Sequence, residues 1–449
     1  MNRFMIAGTS SSCGKTTVTC AVLSALKKRN INVSAFKCGP DYIDTMFHKS
    51  VLGIPSHNLD SFFCDDDTLR YILSEYCKDT SVIEGVMGFY DGNDGSAHSV
   101  SMKTDTPVII VIDCKGMSDS IGAVMSGFLN YKKPNNIIGF IFNRLPKQLI
   151  PFAKSLCDDM KTGYFGCFPK TDIVFESRHL GLVTSDEISG LQISLELLGQ
   201  TAEEHIKIDK LLGIKTENII SVSAPNIIPE KKAPVIAAAK DKAFCFIYDE
   251  NIDLLKKYGC KIEFFSPLTD KRVPDCDGLI LYGGYPELYA QQLSDNISMR
   301  EDIKNKIASG MPTVAECGGF MYLHDTLTDM NGNIFPMCGV IGGNAYYNKK
   351  LTRFGYVNMT SHTDNILTLK NKKIKAHEFH YYESENCGDS FTAEKTNGTK
   401  WDCIHAVNNL FAGFPHIYFY SDISIAKSFI EKCICYGEKN GAYKKHNPK

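Results

Sequence analysis

The amino-acid sequence predicts an α/β protein of two domains, each a mostly parallel sheet flanked by helices. Three observations carry that prediction. The chain has 449 residues, 43% hydrophobic and 22% charged, too long for one core and ordinary for a globular protein. Short β-branched runs alternate with helical patterns, first from residue 3 to about 145 and again after residue 234, as in βαβ units. Gly8, Gly39, Gly85 and Gly116 punctuate the carboxyl ends of the first series, where open α/β sheets bind ligands.

In chain order, the first series places strands at residues 4–7, 33–37, 82–84, 108–113 and 137–142. Residues 221–234 hold three prolines and little periodicity and read as a linker. The second series places strands at residues 235–239, 244–248, 261–265, 278–282 and 313–315. The expected division is a first domain over 1–225, a linker over 226–234, a second domain over 235–440 and a basic tail over 441–449.

Composition excludes several classes of partner. The formal net charge is −2 with acidic and basic residues interspersed, unlike the basic stripe that neutralises a nucleic-acid backbone. The apolar stretch at the N-terminus is too short for a signal peptide, and no run approaches a membrane span. Seventeen scattered cysteines with no CxxC pair suggest buried thiols in a reducing cytoplasm.

The segment from Gly8 to Thr17 follows the first expected strand and opens a helix running to about Arg29. A glycine-rich loop in that context cradles phosphate with backbone N–H groups, while Gly14, Lys15, Thr16 and Thr17 complete it: lysine reaches the β and γ oxygens and Thr16 holds Mg²⁺. Five residues separate Gly8 from Gly14 where the usual loop has four, and that early first glycine resembles dethiobiotin synthetase-like ATPases. Two further strand ends belong with the loop, Lys37 to Asp44 and Glu84 to Gly92. Mg²⁺ needs few protein carboxylates because it keeps several waters, and Glu84, then Asp44, are the chosen ligands. Asn143, after the strand at 137–142, is a candidate for reading the adenine edge of ATP.

In the second half, Cys317 ends an apolar strand and precedes a helical pattern, with Gly318 and Gly319 after it. A sharp strand-to-helix turn exposes a nucleophile, the helix N-terminus lowers the thiol pKa, and the Gly318 N–H can serve an oxyanion. Gly283 and Gly284 close the preceding strand, as an oxyanion-hole loop should, and His416 stands near the C-terminus as general base. Together these pieces resemble a class I glutamine amidotransferase. That class usually carries glutamate two residues after the histidine, where this chain has Tyr418. The competing histidine is His380, in a His377-Glu-Phe-His380 segment whose spacing also suits a metal on a helix.

Across its full length the chain resembles the cobyrinate a,c-diamide synthase family. The segments that carry the resemblance are Lys37 to Asp44, Glu84 to Gly92, Arg178 to Leu182, Tyr282 to Glu287 and Ala315 to Gly319. The resemblance implies amidation of the a and c carboxylates of a corrin ring, with ATP and L-glutamine consumed and Mg²⁺ as cofactor. It further implies that Lys37, Asp41 and Asp91 bind substrate or take part in phosphoryl transfer. The alternatives are a Ni-sirohydrochlorin a,c-diamide synthase or a cobyric acid synthase, both acting on related tetrapyrrole carboxylates. A P-loop switch ATPase is the reading of a different class, opposed by Ser10, Ser11 and Ser12 where such proteins carry an early lysine. Oligomeric state stays open, with a homodimer as one alternative.

Overall fold

The computed structural model describes residues 2–92, 95–171, 173, 185–216 and 224–440, without the side chains of 185–189. The expected motif segment from Arg178 to Leu182 and the basic tail at 441–449 lie outside the described residues. The chain divides into two compact units, Met1–Ala224 and Pro225–Lys449.

The first unit runs β1 (Asn2–Gly8), α1 (Lys15–Lys28), β2 (Val33–Cys38), α2 (Tyr42–Ser50), β3 (Ser56–Leu59), α3 (Asp66–Tyr76), β4 (Thr80–Glu84), α4 (Ala97–Lys103), β5 (Val108–Asp113), α5 (Ser120–Asn130), β6 (Ile137–Asn143), α6 (Ile150–Asp159), β7 (Gly163–Phe168), α7 (Ser185–His205) and α8 (Ile208–Leu212). Its strands form one seven-stranded sheet in the order β3-β2-β4-β1-β5-β6-β7, and every recorded pairing is parallel. Parallel strands covered on both faces read as continuous apolar runs, and Phe4, Met5, Ile6 and Ala7 of β1 are all fully buried. At about 1.5–3 kcal/mol for each large apolar side chain buried, this central strand anchors the loop that follows it. The helix α1 packs Val18, Val22 and Leu26 into the same core as Leu195 and Leu198 of α7.

The second unit begins with β8 (Val235–Ala239), α9 (Asp249–Lys257), β9 (Lys261–Phe265), β10 (Gly278–Leu281), α10 (Ala290–Asp295), α11 (Ile297–Ala308), β11 (Thr313–Glu316) and α12 (Gly318–Tyr322). There follow β12 (His324–Thr328), β13 (Ile334–Pro336), β14 (Ile341–Tyr347), β15 (Arg353–Ser361), β16 (Lys373–His380), β17 (Tyr382–Ser384), β18 (Phe391–Glu394), β19 (Lys400–Cys403), β20 (Leu410–Gly413), β21 (His416–Ile417) and α13 (Ile423–Lys439). Its central sheet is parallel, in the order β20-β11-β10-β8-β9. Two further sheets, β13-β12-β14-β17 and β19-β18-β15-β16-β21, are mainly antiparallel, and the strand readings from sequence had not reached them.

The expected strand at 244–248 is corrected. Asp241 Oδ1 accepts from the backbone N–H groups of Ala243 and Phe244, bending the chain into a turn, and Tyr248 already caps α9. Only an isolated bridge between Phe246 and Gly283 remains. Among the described residues, no helix is long and apolar enough to cross a membrane.

Candidate functional site

Each unit gathers its predicted residues at the carboxyl edge of its parallel sheet. In the first unit, the loop after β1 is pinned by Thr9 N–H to the Val111 carbonyl at 3.1 Å and by Phe89 N–H to the Gly8 carbonyl at 2.8 Å. Gly14 caps α1 with φ 95°, a left-handed conformation that glycine adopts without steric cost. Asn143 lies directly against it: the side-chain NH₂ donates to the Cys13 carbonyl at 2.9 Å. One N–H of the Asn143 amide thus braces the loop. Lys15 is buried and Thr17 half-buried in the first turn of α1.

A buried charge cluster stands beside this loop. The Thr16 hydroxyl donates to Glu84 Oε1 at 2.6 Å, and Lys37 Nζ donates to the same oxygen at 2.9 Å and to Asp44 Oδ2. Burial pushes the Lys37 ammonium towards neutrality, but Asp44 and Glu84 outweigh it and hold its pKa well above the usual lysine value. Asp44 is held below the usual carboxylate value because Lys37 overcomes its burial. Asp41, which caps α2 by accepting from Ile43 N–H at 2.9 Å, is pushed up to about 6 by burial and by Asp44. At an effective dielectric of about 20, a pair at about 3 Å is worth roughly 5–6 kcal/mol, and desolvation takes back several kcal/mol per ion. The cluster thus fixes geometry more than it adds stability. Lys37, expected to bind substrate or take part in phosphoryl transfer, here joins the two carboxylates expected to bind metal.

The donor set suits Mg²⁺. Thr16, Asp44 and Glu84 supply hard oxygens, and the fully buried Glu84 has an Oε2 atom that accepts no hydrogen bond among the described residues. No group of three or more His, Cys, Asp or Glu placed to hold a metal occurs among the described residues, so such an ion would draw on phosphate oxygens and water, as Mg²⁺ commonly does. Asp91 closes the neighbouring loop by accepting from Gly88 N–H at 3.0 Å.

In the second unit, Cys317 sits between β11 and α12 at φ 46°, ψ −103°. A non-glycine residue held there costs about 1–3 kcal/mol and is typical of functional turns. A Cβ added at Gly283 would stand 2.5 Å from His416 Cε1 and 3.4 Å from Cys317 Cβ, so the two side chains flank one glycine. A Cβ added at Gly318 would stand 3.0 Å from the Gly284 nitrogen, which brings the two halves of the expected oxyanion loop together. The expected lowering of the thiol pKa is reversed: burial, then the charge of Glu287, push Cys317 up. The helix α12 is only five residues long.

The competing histidine, His380, is held by its neighbours. Both ring nitrogens of His380 are engaged, Nδ1 with the Tyr382 carbonyl at 2.7 Å and Nε2 with Glu378 Oε2 at 3.1 Å, and the ring stacks on Phe414 at 4.0 Å. The His377 to His380 segment lies on the strand β16, where residues three apart point to opposite faces. The helical metal reading is thereby overturned. One residue escaped the sequence reading: Glu316 Oε2 lies 3.6 Å from His416 Nδ1, and Glu316 Oε1 accepts from Ile417 N–H at 3.1 Å. A charged residue at the buried end of β11, directly before Cys317, was the available signal.

Comparison with known proteins agrees with this division. Residues 4–179 match the family described as CobQ/CobB/MinD/ParA nucleotide binding domain, and residues 235–423 match the CobB/CobQ-like glutamine amidotransferase domain. The cobyrinate a,c-diamide synthase of Listeria monocytogenes serotype 4b (strain F2365) is 39% identical over 445 residues, covering 95% of this chain and 98% of its own. That of Caldanaerobacter subterraneus subsp. tengcongensis is 37% identical over 449 residues, covering 97% and 99%, and that of Priestia megaterium is 36% identical over 451 residues, covering 96% and 97%. With identity at this level sustained through both units, the chain belongs to the cobyrinate a,c-diamide synthase family.

Proposed function

We propose that the protein uses ATP and glutamine to amidate the a and c carboxylates of cobyrinate. The observation that carries this reading is the presence in one chain of a phosphate loop beside buried acidic residues and of a strained cysteine and a histidine that flank one glycine. A switch ATPase needs only the first of these.

A carboxylate is a poor electrophile. Its oxygen attacks the γ-phosphorus of ATP, the bond to the β-phosphate oxygen breaks, and ADP leaves an acyl phosphate. Gly8, Gly14 and Thr17 shape the loop that holds the phosphates, Asn143 braces it, and Lys15 meets the charge of the transferring group. Thr16, Glu84 and Asp44 would hold Mg²⁺, which when bound neutralises charge on the phosphate oxygens. Lys37 holds Asp44 below the usual carboxylate value and donates to Glu84, and Asp41 and Asp91 line the edge where the substrate carboxylate arrives.

At the second site, His416 takes the Cys317 proton as sulfur attacks the glutamine amide carbon. The oxyanion faces the backbone N–H groups of Gly284 and Gly318 beside Gly283. His416 returns the proton as the C–N bond breaks and ammonia leaves. Water hydrolyses the thioester to glutamate, and ammonia displaces phosphate from the acyl phosphate to give the amide.

The test is mass gain on cobyrinate with ATP and glutamine, compared with sirohydrochlorin and Ni-sirohydrochlorin. Two amidations on cobyrinate are expected, and no amidation on any of the three refutes the proposal. Cys317→Ala should end glutamine use but keep ammonia use, and Lys15→Ala should end both.

A further inference from the structure

The histidine base of this glutaminase site stands without the glutamate that its class usually carries two residues further on. Tyr418 occupies that place, its ring packed edge-on against Tyr248 at 4.9 Å. A phenol there supplies no carboxylate. An imidazole that must take and return one proton within a turnover needs its tautomer and ring plane fixed, and a buried acid on the far nitrogen does this.

We propose that Glu316, the residue directly before the nucleophile, is the positioning residue for His416. Three observations support it. First, Glu316 Oε2 lies 3.6 Å from His416 Nδ1, with each side chain only 3% exposed. This separation is longer than a hydrogen bond, as catalytic contacts often are before substrate binds. Second, Glu316 Oε1 accepts from Ile417 N–H at 3.1 Å, so the carboxylate grips the backbone beside the histidine and cannot swing freely. Third, the parallel pairing of β11 with β20 sets Glu316 opposite Gly413, three residues before His416. Nδ1 is thus the ring nitrogen of His416 turned to Glu316.

Four other titratable groups near the site have surroundings of their own. His377 faces His416 across the β16–β21 pair, and burial together with the His416 charge holds it down at about 3. Glu378 is bonded to His380. Glu287 acts on Cys317. Tyr282 lies near Glu316 and is pushed well above the usual phenol value by burial and by that carboxylate.

This inference rests on the Cys317–His416 reading, and the experiment separates the two. Glutamate release from glutamine and ammonia-driven amidation are measured side by side in Glu316→Gln, Glu316→Asp and Cys317→Ala proteins. Gln keeps an oxygen for Ile417 N–H and is nearly isosteric, so the fold is expected to hold, and Asp provides a second variant. The expected result for Glu316→Gln is a fall in glutaminase kcat of at least about 100-fold, towards the roughly 10,000-fold loss when the acid behind a catalytic histidine is neutralised. KM for glutamine should stay within about 3-fold and ammonia-driven amidation within about 2-fold, with Glu316→Asp recovering part of the lost kcat. A merely structural role would lower both activities together, and that outcome overturns the proposal. So does a Glu316→Gln glutaminase kcat within about 3-fold of the parent while Cys317→Ala is inactive. Glutaminase activity retained in Cys317→Ala overturns the underlying reading as well.

Discussion

Replacing Gly283 with alanine should disable glutamine use and spare the rest of the enzyme. Gly283 is not among the glycines with positive φ, so the added methyl imposes no backbone strain and its effect is purely local. That methyl would stand 2.5 Å from His416 Cε1 and 3.3 Å from Phe246 Cδ2. Ordinary contact begins near 3.4 Å, so the imidazole must retreat by about 1 Å. It has little room to do so, because His416 is paired with His377 in the sheet and Glu316 holds Ile417 N–H. A misplacement of about 1 Å costs about 100-fold in rate, equivalent to about 2.7 kcal/mol of barrier. Overpacking adds about 1–3 kcal/mol of destabilisation. Steady-state glutamate release measures the first effect, with ammonia-driven amidation as the internal control. A Gly283→Ala protein that stays folded and releases glutamate within about 3-fold of the parent rate would refute the placement of His416 against Cys317.

Glu84→Gln should raise the Mg²⁺ concentration needed for half-maximal amidation by about 10-fold or more, read by titration at saturating ATP, since it removes a charged hard-oxygen donor; an unchanged titration would remove Glu84 from the metal. Lys37→Met should leave Asp44 and Glu84 buried without their shared cation, at a cost of about 3–5 kcal/mol. In a unit of this size that lowers the melting temperature by about 6–20 °C, and a shift under about 3 °C would show that the cluster is not under that tension. Acid should loosen the second unit. His324, bonded to the Phe320 carbonyl and Ser384, is held by burial at about 4 against an ordinary 6.5. The unfolded chain therefore takes the proton first: this stability is whole above about pH 6.5 and is lost as pH falls towards 4, by roughly 3 kcal/mol. Denaturant unfolding at pH 7 and 4.5 checks it, and His324→Gln should flatten the slope; no difference between the two proteins would refute the assignment.

What the sequence disclosed depended on how local the cause was. Strands such as Val108–Asp113 were legible because they are buried on both faces and so apolar throughout. Ser56–Leu59 was not, because its polar side chains are satisfied one by one: Ser56 meets His48, and Asn58 donates to the Gly39 carbonyl. The antiparallel sheets between residues 324 and 417 went unread since their register is set by distant partners. The same rule governs the sites. Gly14 and Gly318 are visible in sequence because the backbone itself requires them. Glu316 meets Ile417 across a separation of 101 residues, and only the alignment of β11 with the chain after β20 makes them neighbours.

The two sites treat burial in opposite ways, and this explains why geometry weighs so heavily at the second. Near the phosphate loop, Lys37 sits between two carboxylates and offsets part of their desolvation and mutual repulsion. Around Cys317 the nearby charges are Glu287, Glu316 and Glu378, all disfavouring a thiolate that burial already penalises. The resting nucleophile is therefore drawn towards its thiol form. Its proton must leave at the moment of attack, into a base already in place, so the rate depends on where His416 stands more than on how much thiolate exists beforehand. A glycine at 283 that makes room for the ring and a carboxylate at 316 that faces its far nitrogen then serve the same end: sulfur becomes reactive only when base, oxyanion donors and amide are aligned together.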